Sequence, residues 1–220
     1  MAAIMGAESA QRTLYAALER LGSRQSFRRH SYVYAPGQPA HALYLLVSGQ
    51  VILQMLSGEG RVLTVKVVEP GHLFGYPALE EGMQYNMYAQ VTQPVRVVAI
   101  DRATLHRAIG SNPSLGLALI EAVGQHHLTL SRRIEEVAFK SVPARLASVL
   151  LEMSSDRHEL ERPHRWVARR THQQLAEMVN AYRETVTKII NQFREARLLD
   201  VDRSGITLLN PSRLRELSQS

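Results

Sequence analysis

Between Thr171 and Phe193 the chain reads THQQLAEMVNAYRETVTKIINQF. The stretch is too polar at its centre for one buried helix and too periodic for a loop, so few folds accommodate it. Thr171 followed by Gln174 fits a reciprocal cap, in which the hydroxyl accepts from the N3 amide and the N3 side chain accepts from the N-cap amide; a helix is expected to begin there. Leu175, Met178 and Val179 give that helix an apolar face. Asn180 tolerates the positive φ that closes a helix. A second helix is expected from about Arg183, where Val186, Ile189, Ile190 and Phe193 recur at i, i+3, i+4 and i+7 and gather on one side at about 100° per residue. Arg183, Glu184, Thr187, Lys188 and Asn191 fall on the other side.

That second face carries the chemistry of base reading. An Arg can donate two hydrogen bonds to guanine O6 and N7, and a Glu can accept from cytosine N4. A Lys can reach a guanine or a phosphate, and a Thr can fix a phosphate. Two short helices joined by a three-residue turn, with such a face on the second, make a helix-turn-helix. Downstream, LLDVDRSGITLLN reads as a β-hairpin with Ser204-Gly205 at its tip, a wing beside the helices. The competing reading is a plain helical hairpin with a solvated polar face. The cap, the wing and the basic RPHRWVARR just upstream weigh against it.

The rest of the chain changes period twice. AESAQRTLYAALERLG, with Leu14, Leu18 and Leu21, reads as a short amphipathic helix closed by Gly22. From Ser31 to Gly75, runs rich in Val, Tyr and Leu are cut by Pro-Gly, Ser-Gly and Gly-Glu-Gly, the pattern of an antiparallel barrel or sandwich. VILQML and RVLTVKVV flank a hairpin loop at SGEG, and YAQVTQPVRVVAID reads as returning strands, with Pro94 marking an edge or a bulge. RATLHRAIG is a short helix. Between Ser114 and Phe139, Leu115, Leu119, Ala122, His126, Leu130, Ile134 and Val137 recur every three or four residues. Such a helix either packs on its own barrel or forms a seam between two subunits, and the narrow stripe favours the seam. Pro143 makes Lys140–Pro143 a hinge, and Leu146, Val149 and Leu150 mark a further helix. SSDRHELERPHR reads as a loop.

Composition narrows the classes of function. The absence of cysteine excludes disulfides, Cys-ligated zinc and thiolate-held iron–sulfur clusters. No run approaches the roughly 18 apolar residues of a membrane span, and the N-terminus does not read as a signal peptide, so a cytoplasmic location is expected. Between Lys140 and Ser220 there are 14 basic residues against 10 acidic, and before them 12 against 10, which places most of the excess charge in the shorter segment with the helix-turn-helix. The nine histidines show no zinc-ligand spacing, and adjacent His126 and His127 point about 100° apart on a helix, so no metal site is expected and both read as surface or interface residues. A cupin-like β-barrel metal enzyme with a helical appendage would need clustered His and Glu on the barrel strands, and these are missing. No nucleophile with an acid–base partner is visible, so the chain is not expected to be an enzyme.

ALYLLVSGQVIL, PGHLFG, VAFKSVPARLASVLL and RETVTKII together resemble the cyclic-AMP receptor protein / fumarate-nitrate regulator (CRP/FNR) family of bacterial transcription factors over nearly the whole chain. The resemblance implies an α+β chain: an N-terminal antiparallel, jelly-roll-like β-roll effector domain (1–110), a long dimerisation helix (111–139) and a C-terminal winged helix-turn-helix (140–220). It implies a cytoplasmic homodimer paired through the 114–139 helix, with double-stranded DNA and RNA polymerase as partners. By position, Arg183, Glu184 and Lys188 match the family's base-reading residues, and Thr171 and Thr185 match its phosphate contacts. R-E-x-x-x-K is similar to the subgroup that reads TGTGA-type half-sites, which implies a related palindrome. Tyr182 stands where the family has Ser or Thr, and it is a poor N-cap.

The implied effector pocket departs from the cyclic-AMP pattern. FGY (Phe74, Gly75, Tyr76) replaces FGE, whose Glu holds the ribose. Tyr85 or Met87 stands in place of the phosphate-pairing Arg, with Tyr88 nearby. Leu130 replaces the purine-binding Thr of the dimer helix, while Ser131 keeps the next position. A buried phosphate without a cation is costly, so cyclic AMP is not expected in the family manner. Two alternatives stand: the tyrosines fill a pocket that has lost its ligand, or a different, less charged small-molecule effector is bound.

Overall fold

The computed structural model describes residues 15–155 and 165–219. Leu14 and part of the segment read as a loop fall outside these residues. The described chain divides into two units, one made of residues up to Leu56 together with Val65–Leu130, the other of Ser57–Thr64 together with Ser131 onward.

The first unit is built around two long strands. After helix α1 (15–21) come β1 (Ser23–Phe27), β2 (Ala42–Leu56), β3 (Val62–Val68), β4 (Leu73–Phe74), a 3-10 turn at Tyr76–Leu79 and β5 (Tyr88–Asp101). The antiparallel sheet has the order β1-β5-β2-β3, with β4 also on β2. β2 and β5 pair from Ala42↔Asp101 to Gln54↔Tyr88. Successive side chains of a strand point to opposite faces. Leu43 and Leu45 with Val98 and Ile100 therefore join Leu18, Leu105, Leu115 and Leu119 in one core. Tyr44 and Leu46 with Val97 and Ala99 join Tyr34, Phe74 and Tyr85 in another. Burial on both faces explains why LYLLV is continuously apolar rather than alternating.

The returning segment is one strand, and Pro94 sits at an irregularity rather than an edge. The register shifts between Ser48↔Arg96 and Gln50↔Gln93. Opposite it, Gly49 has φ +86°, and a Cβ there would lie 2.1 Å from Pro94 O, so both backbone angle and space require glycine. The expected hairpin closes as read: Ser57 N donates to Arg61 O at 2.8 Å and Arg61 N to Ser57 Oγ at 3.0 Å.

Helix α2 (Arg102–Ser111) is capped by Asp101, which accepts from Thr104 N at 2.8 Å. Helix α3 (Pro113–Phe139) is continuous, about 40 Å at ~1.5 Å per residue. Its expected seam is corrected in part. Leu115 and Leu119 are buried in the first unit's own core, with Ala122 packed against it. Of the expected stripe Ile134 is left exposed, at 70%, and it is joined by Leu117, Ile120, Val123, Leu128 and Phe139, which the stripe did not include.

In the second unit, α4 (Val142–Ser155) takes Pro143 into its first turn, which narrows the break after α3 to Lys140–Ser141. Strand β6 (Arg165–Ala168), helices α5 (His172–Val179) and α6 (Arg183–Glu195), strands β7 (Leu199–Val201) and β8 (Gly205–Leu208), and α7 (Pro211–Leu217) complete it. The wing is a three-stranded sheet ordered β6-β8-β7, one strand more than the hairpin alone suggests. Its tip lies at Asp202–Ser204, where Asp202 Oδ1 accepts from the amides of Ser204 and Gly205, and Gly205 already belongs to β8. Leu146, Leu150, Leu175, Val179, Val186, Ile190, Phe193, Leu208 and Leu214 form one core beneath these elements. No helix among the described residues is long and apolar enough to cross a membrane.

Candidate nucleic-acid interface

The reciprocal cap forms as the residue types require: Thr171 Oγ1 accepts from Gln174 N at 3.1 Å, and Gln174 Oε1 accepts from Thr171 N at 2.9 Å. α5 ends on Asn180 at φ 51°, ψ 55°, and α6 starts three residues on. Val186, Ile189, Ile190 and Phe193 are all buried. Each such side chain contributes about 1.5–3 kcal/mol, so the inner face anchors α6 firmly.

On the outer face, Arg183, Glu184, Lys188 and Asn191 are exposed, and Thr185 and Thr187 are half-buried. Among the described residues, no ion pair engages Arg183, Glu184 or Lys188. Two cations and one carboxylate thus point outward together from two turns of a well-anchored helix. Thr187 differs from expectation. Its hydroxyl donates to Arg183 O at 2.9 Å, and its oxygen lies 2.8 Å from His172 Nδ1, so it is engaged within the protein. His172 was not singled out in the sequence. Its position beside a cap threonine carries no periodic signal.

Tyr182 precedes α6 without a side-chain cap bond and is 59% exposed. Instead, the Arg61 guanidinium of the 57–64 hairpin lies over its ring, 5.6 Å from the centroid. An exposed contact of this kind is worth about 0.5–1 kcal/mol. Arg169 Nη1 meets Arg203 O at 3.4 Å, which places two cationic residues together at the wing.

The residues expected to line an effector pocket do not all meet. Phe74 and Tyr85 lie in the barrel core with Tyr34 and Tyr44, two rings the sequence reading did not include. Tyr34 stacks on Tyr85 at 3.8 Å between centroids, and Tyr44 on Phe74 at 5.2 Å. Tyr85 OH donates to Ala42 O at 2.7 Å. Burial pushes the Tyr34 and Tyr44 phenols well above their ordinary range, and raises Tyr85 too, so all three are neutral at physiological pH. Gly75, at φ +84°, lets Tyr44 and Ala42 O approach to 3.0 and 3.1 Å of where a Cβ would stand. Met87 packs against this core, whereas Tyr88 pairs with Tyr32 at 5.4 Å. Leu130 is half-buried and Ser131 exposed on α3.

Tyr76 turns to α3. It stacks on His126 at 4.3 Å and directs its hydroxyl to Ala122 O at 3.5 Å. Of the two readings of His126, surface or interface, the open-surface one does not hold: its Nδ1 is shielded from solvent without a partner among the described residues. Burial first, then Lys66 and His127, push its pKa down to about 4. Among the described residues no three His, Cys, Asp or Glu side chains come together to hold a metal.

Comparison with known proteins follows these two regions. Residues 24–112 match the model of the cyclic nucleotide-binding domain, and residues 144–217 that of the Crp-like helix-turn-helix domain. The transcriptional regulator SdrP of Thermus thermophilus is 30% identical over 197 residues, covering 89% of this chain and 94% of the relative. The global nitrogen regulator of a Synechocystis species is 27% identical over 215 residues, covering 93% and 95%. Among solved structures, the c-di-GMP responsive global regulator CLP of Xanthomonas campestris superposes with a TM-score of 0.79, covering 89% of this chain and 98% of that one. At 20% identity that likeness speaks for the fold alone.

Proposed function

The chain belongs to the CRP/FNR family of DNA-binding transcriptional regulators, and from that premise we propose that it acts as a homodimer reading a palindrome of TGTGA-related half-sites, with a barrel that does not take cyclic AMP in the usual mode. In this reading residues 1–110 form the effector-type domain, 111–139 the dimer helix and 140–220 the DNA-binding domain. Arg183, Glu184 and Lys188 read bases. Thr171 and Thr185 stand near phosphates, Asn191 extends the outer face, and Thr187 stiffens α6 through Arg183 O and His172. RNA polymerase is the expected protein partner of such a regulator.

The observation that carries the proposal is the outer face of α6: charged groups of both signs, exposed and without ion pairs among the described residues, over four buried anchors. Pairing is supported by the exposed apolar face of α3. The negative proposal for cyclic AMP is supported by the absence of a cation at either Tyr85 or Met87: the Tyr85 phenol is neutral, bonded to Ala42 and stacked on Tyr34, and Met87 packs against the same core. Desolvating a phosphate against those rings has no compensating charge.

A binding-site selection on the purified protein tests the reading. It should return a two-fold symmetric site, unchanged by added cyclic AMP. Arg183→Ala should lose about 1–3 kcal/mol of discrimination at one base pair of each half-site. A random pool after selection, or a preference indifferent to Arg183→Ala, refutes base reading by α6.

A further inference from the structure

Helix α5 ends in a way its own sequence does not explain. The last four carbonyls of a helix have no partner inside it. Ala176 O is taken by the amides of Asn180 and Ala181. The Met178 and Val179 carbonyls are taken by side chains from outside the helix-turn-helix. Arg145, on α4, donates through Nε to Val179 O at 2.8 Å, and Arg133, on α3, donates through Nη2 to Met178 O.

The same two guanidiniums also hold the C-terminal end of α3. Arg145 Nη1 donates to Lys140 O at 2.9 Å and to Val137 O at 3.3 Å. Arg133 Nη1 donates to Glu136 Oε2 at 3.0 Å, and its Nη2 also reaches Thr64 O at 3.0 Å. Arg145 is only 8% exposed and, among the described residues, forms no ion pair with a carboxylate. Its charge is met by carbonyls at the C-terminal ends of two helices, where the macrodipole concentrates negative charge. Only a planar fork of several donors can span both ends at once; a lysine ammonium is a single point.

We propose that Arg133 and Arg145 are positioning residues for DNA reading. They bolt the turn Asn180–Tyr182, and with it the start of α6, to the last turns of α3. This rests on α6 as the reading helix. Between Phe139 and Arg183 the chain itself runs through α4, β6 and α5, a long and indirect tether. The two guanidiniums replace it with direct bonds, so a shift or rotation of the end of α3 is passed to α6.

The test uses the full chain with Arg133→Lys and Arg145→Lys, which keep the charge and lose the fork, and Arg183→Ala as a control. Three quantities are read: affinity for the selected duplex against a scrambled one, the salt dependence of binding, and amide hydrogen exchange. Each clamp variant should lower the specificity ratio at least tenfold and leave the salt slope unchanged, because no phosphate contact is lost. Exchange at Ala181–Glu184 should accelerate while β2 and β5 are unaffected. Melting temperatures that fall with the specificity ratio intact would overturn the proposal and leave a merely structural role. If Arg183→Ala also keeps the ratio intact, it is the reading of α6 that fails instead.

Discussion

At the level of single residues, the functional regions are defined by what polar groups meet once the chain is folded. Among the described residues the Arg183, Glu184 and Lys188 side chains form no ion pair, whereas Thr187, of the same helix face, is bonded twice. Spacing alone treats these four alike, because a helical wheel gives direction and not partners. His126 shows the same limit from the other side. Its neighbour His127 is exposed, yet His126 is shielded under Tyr76, a contact between residues fifty apart in the chain. This burial has a pH signature. The folded pKa lies at about 4, below the ordinary 6.5, so the unfolded chain binds the proton first as pH falls. The contribution of a neutral, buried His126 is complete above the unfolded value and is lost as pH falls from 6.5 towards 4. Thermal melts should show stability declining through that window, and His126→Phe, which keeps a ring against Tyr76, should flatten the decline. An equally steep decline in the variant would assign it to other groups.

Among the elements, the local signals were the most legible. The Thr171–Gln174 cap, the left-handed Asn180 and the four apolar anchors of α6 all lie within a few residues of the structure they specify. Thr171→Ala removes the acceptor for Gln174 N and half of the reciprocal cap. It should cost about 1 kcal/mol of stability. Chemical denaturation would measure this, and Thr171→Ser should recover most of the loss; a serine no better than alanine would show that the cap bond contributes nothing. Strands were legible as runs and turns but not as pairings. β6 passed unnoticed because four residues with no alternation carry little signal, and its place in the wing depends on β8. α7 was missed for a similar reason: only Leu214 is fully buried in a seven-residue helix.

For the molecule as a whole, the question is how α3 divides its surface. Leu115 and Leu119 serve the first unit's own core, and Leu117, Ile120, Val123, Leu128, Ile134 and Phe139 are left uncovered. Exposed large apolar residues gathered on one face of a helix are the signature of an interface. Ile120→Asp would place a charge in a paired seam yet leave the barrel core untouched. Light scattering should then report a monomer, and affinity for the full palindrome should fall towards that for one half-site, since two reading helices about 34 Å apart no longer act together. A variant that remains dimeric places the seam elsewhere. The residue order alone fixed the family, the succession of barrel, long helix and winged helix-turn-helix, and the outward chemistry of α6, because each is written in spacings shorter than a few turns. Folding in three dimensions decided which side of α3 is spent on its own barrel, which tyrosines fill that barrel, and which arginines hold the end of α5. Those outcomes join residues 34 to 51 positions apart — Tyr34 with Tyr85, Arg133 with Met178, Arg145 with Val179 — and no local pattern encodes a partner that only the packed chain brings within reach.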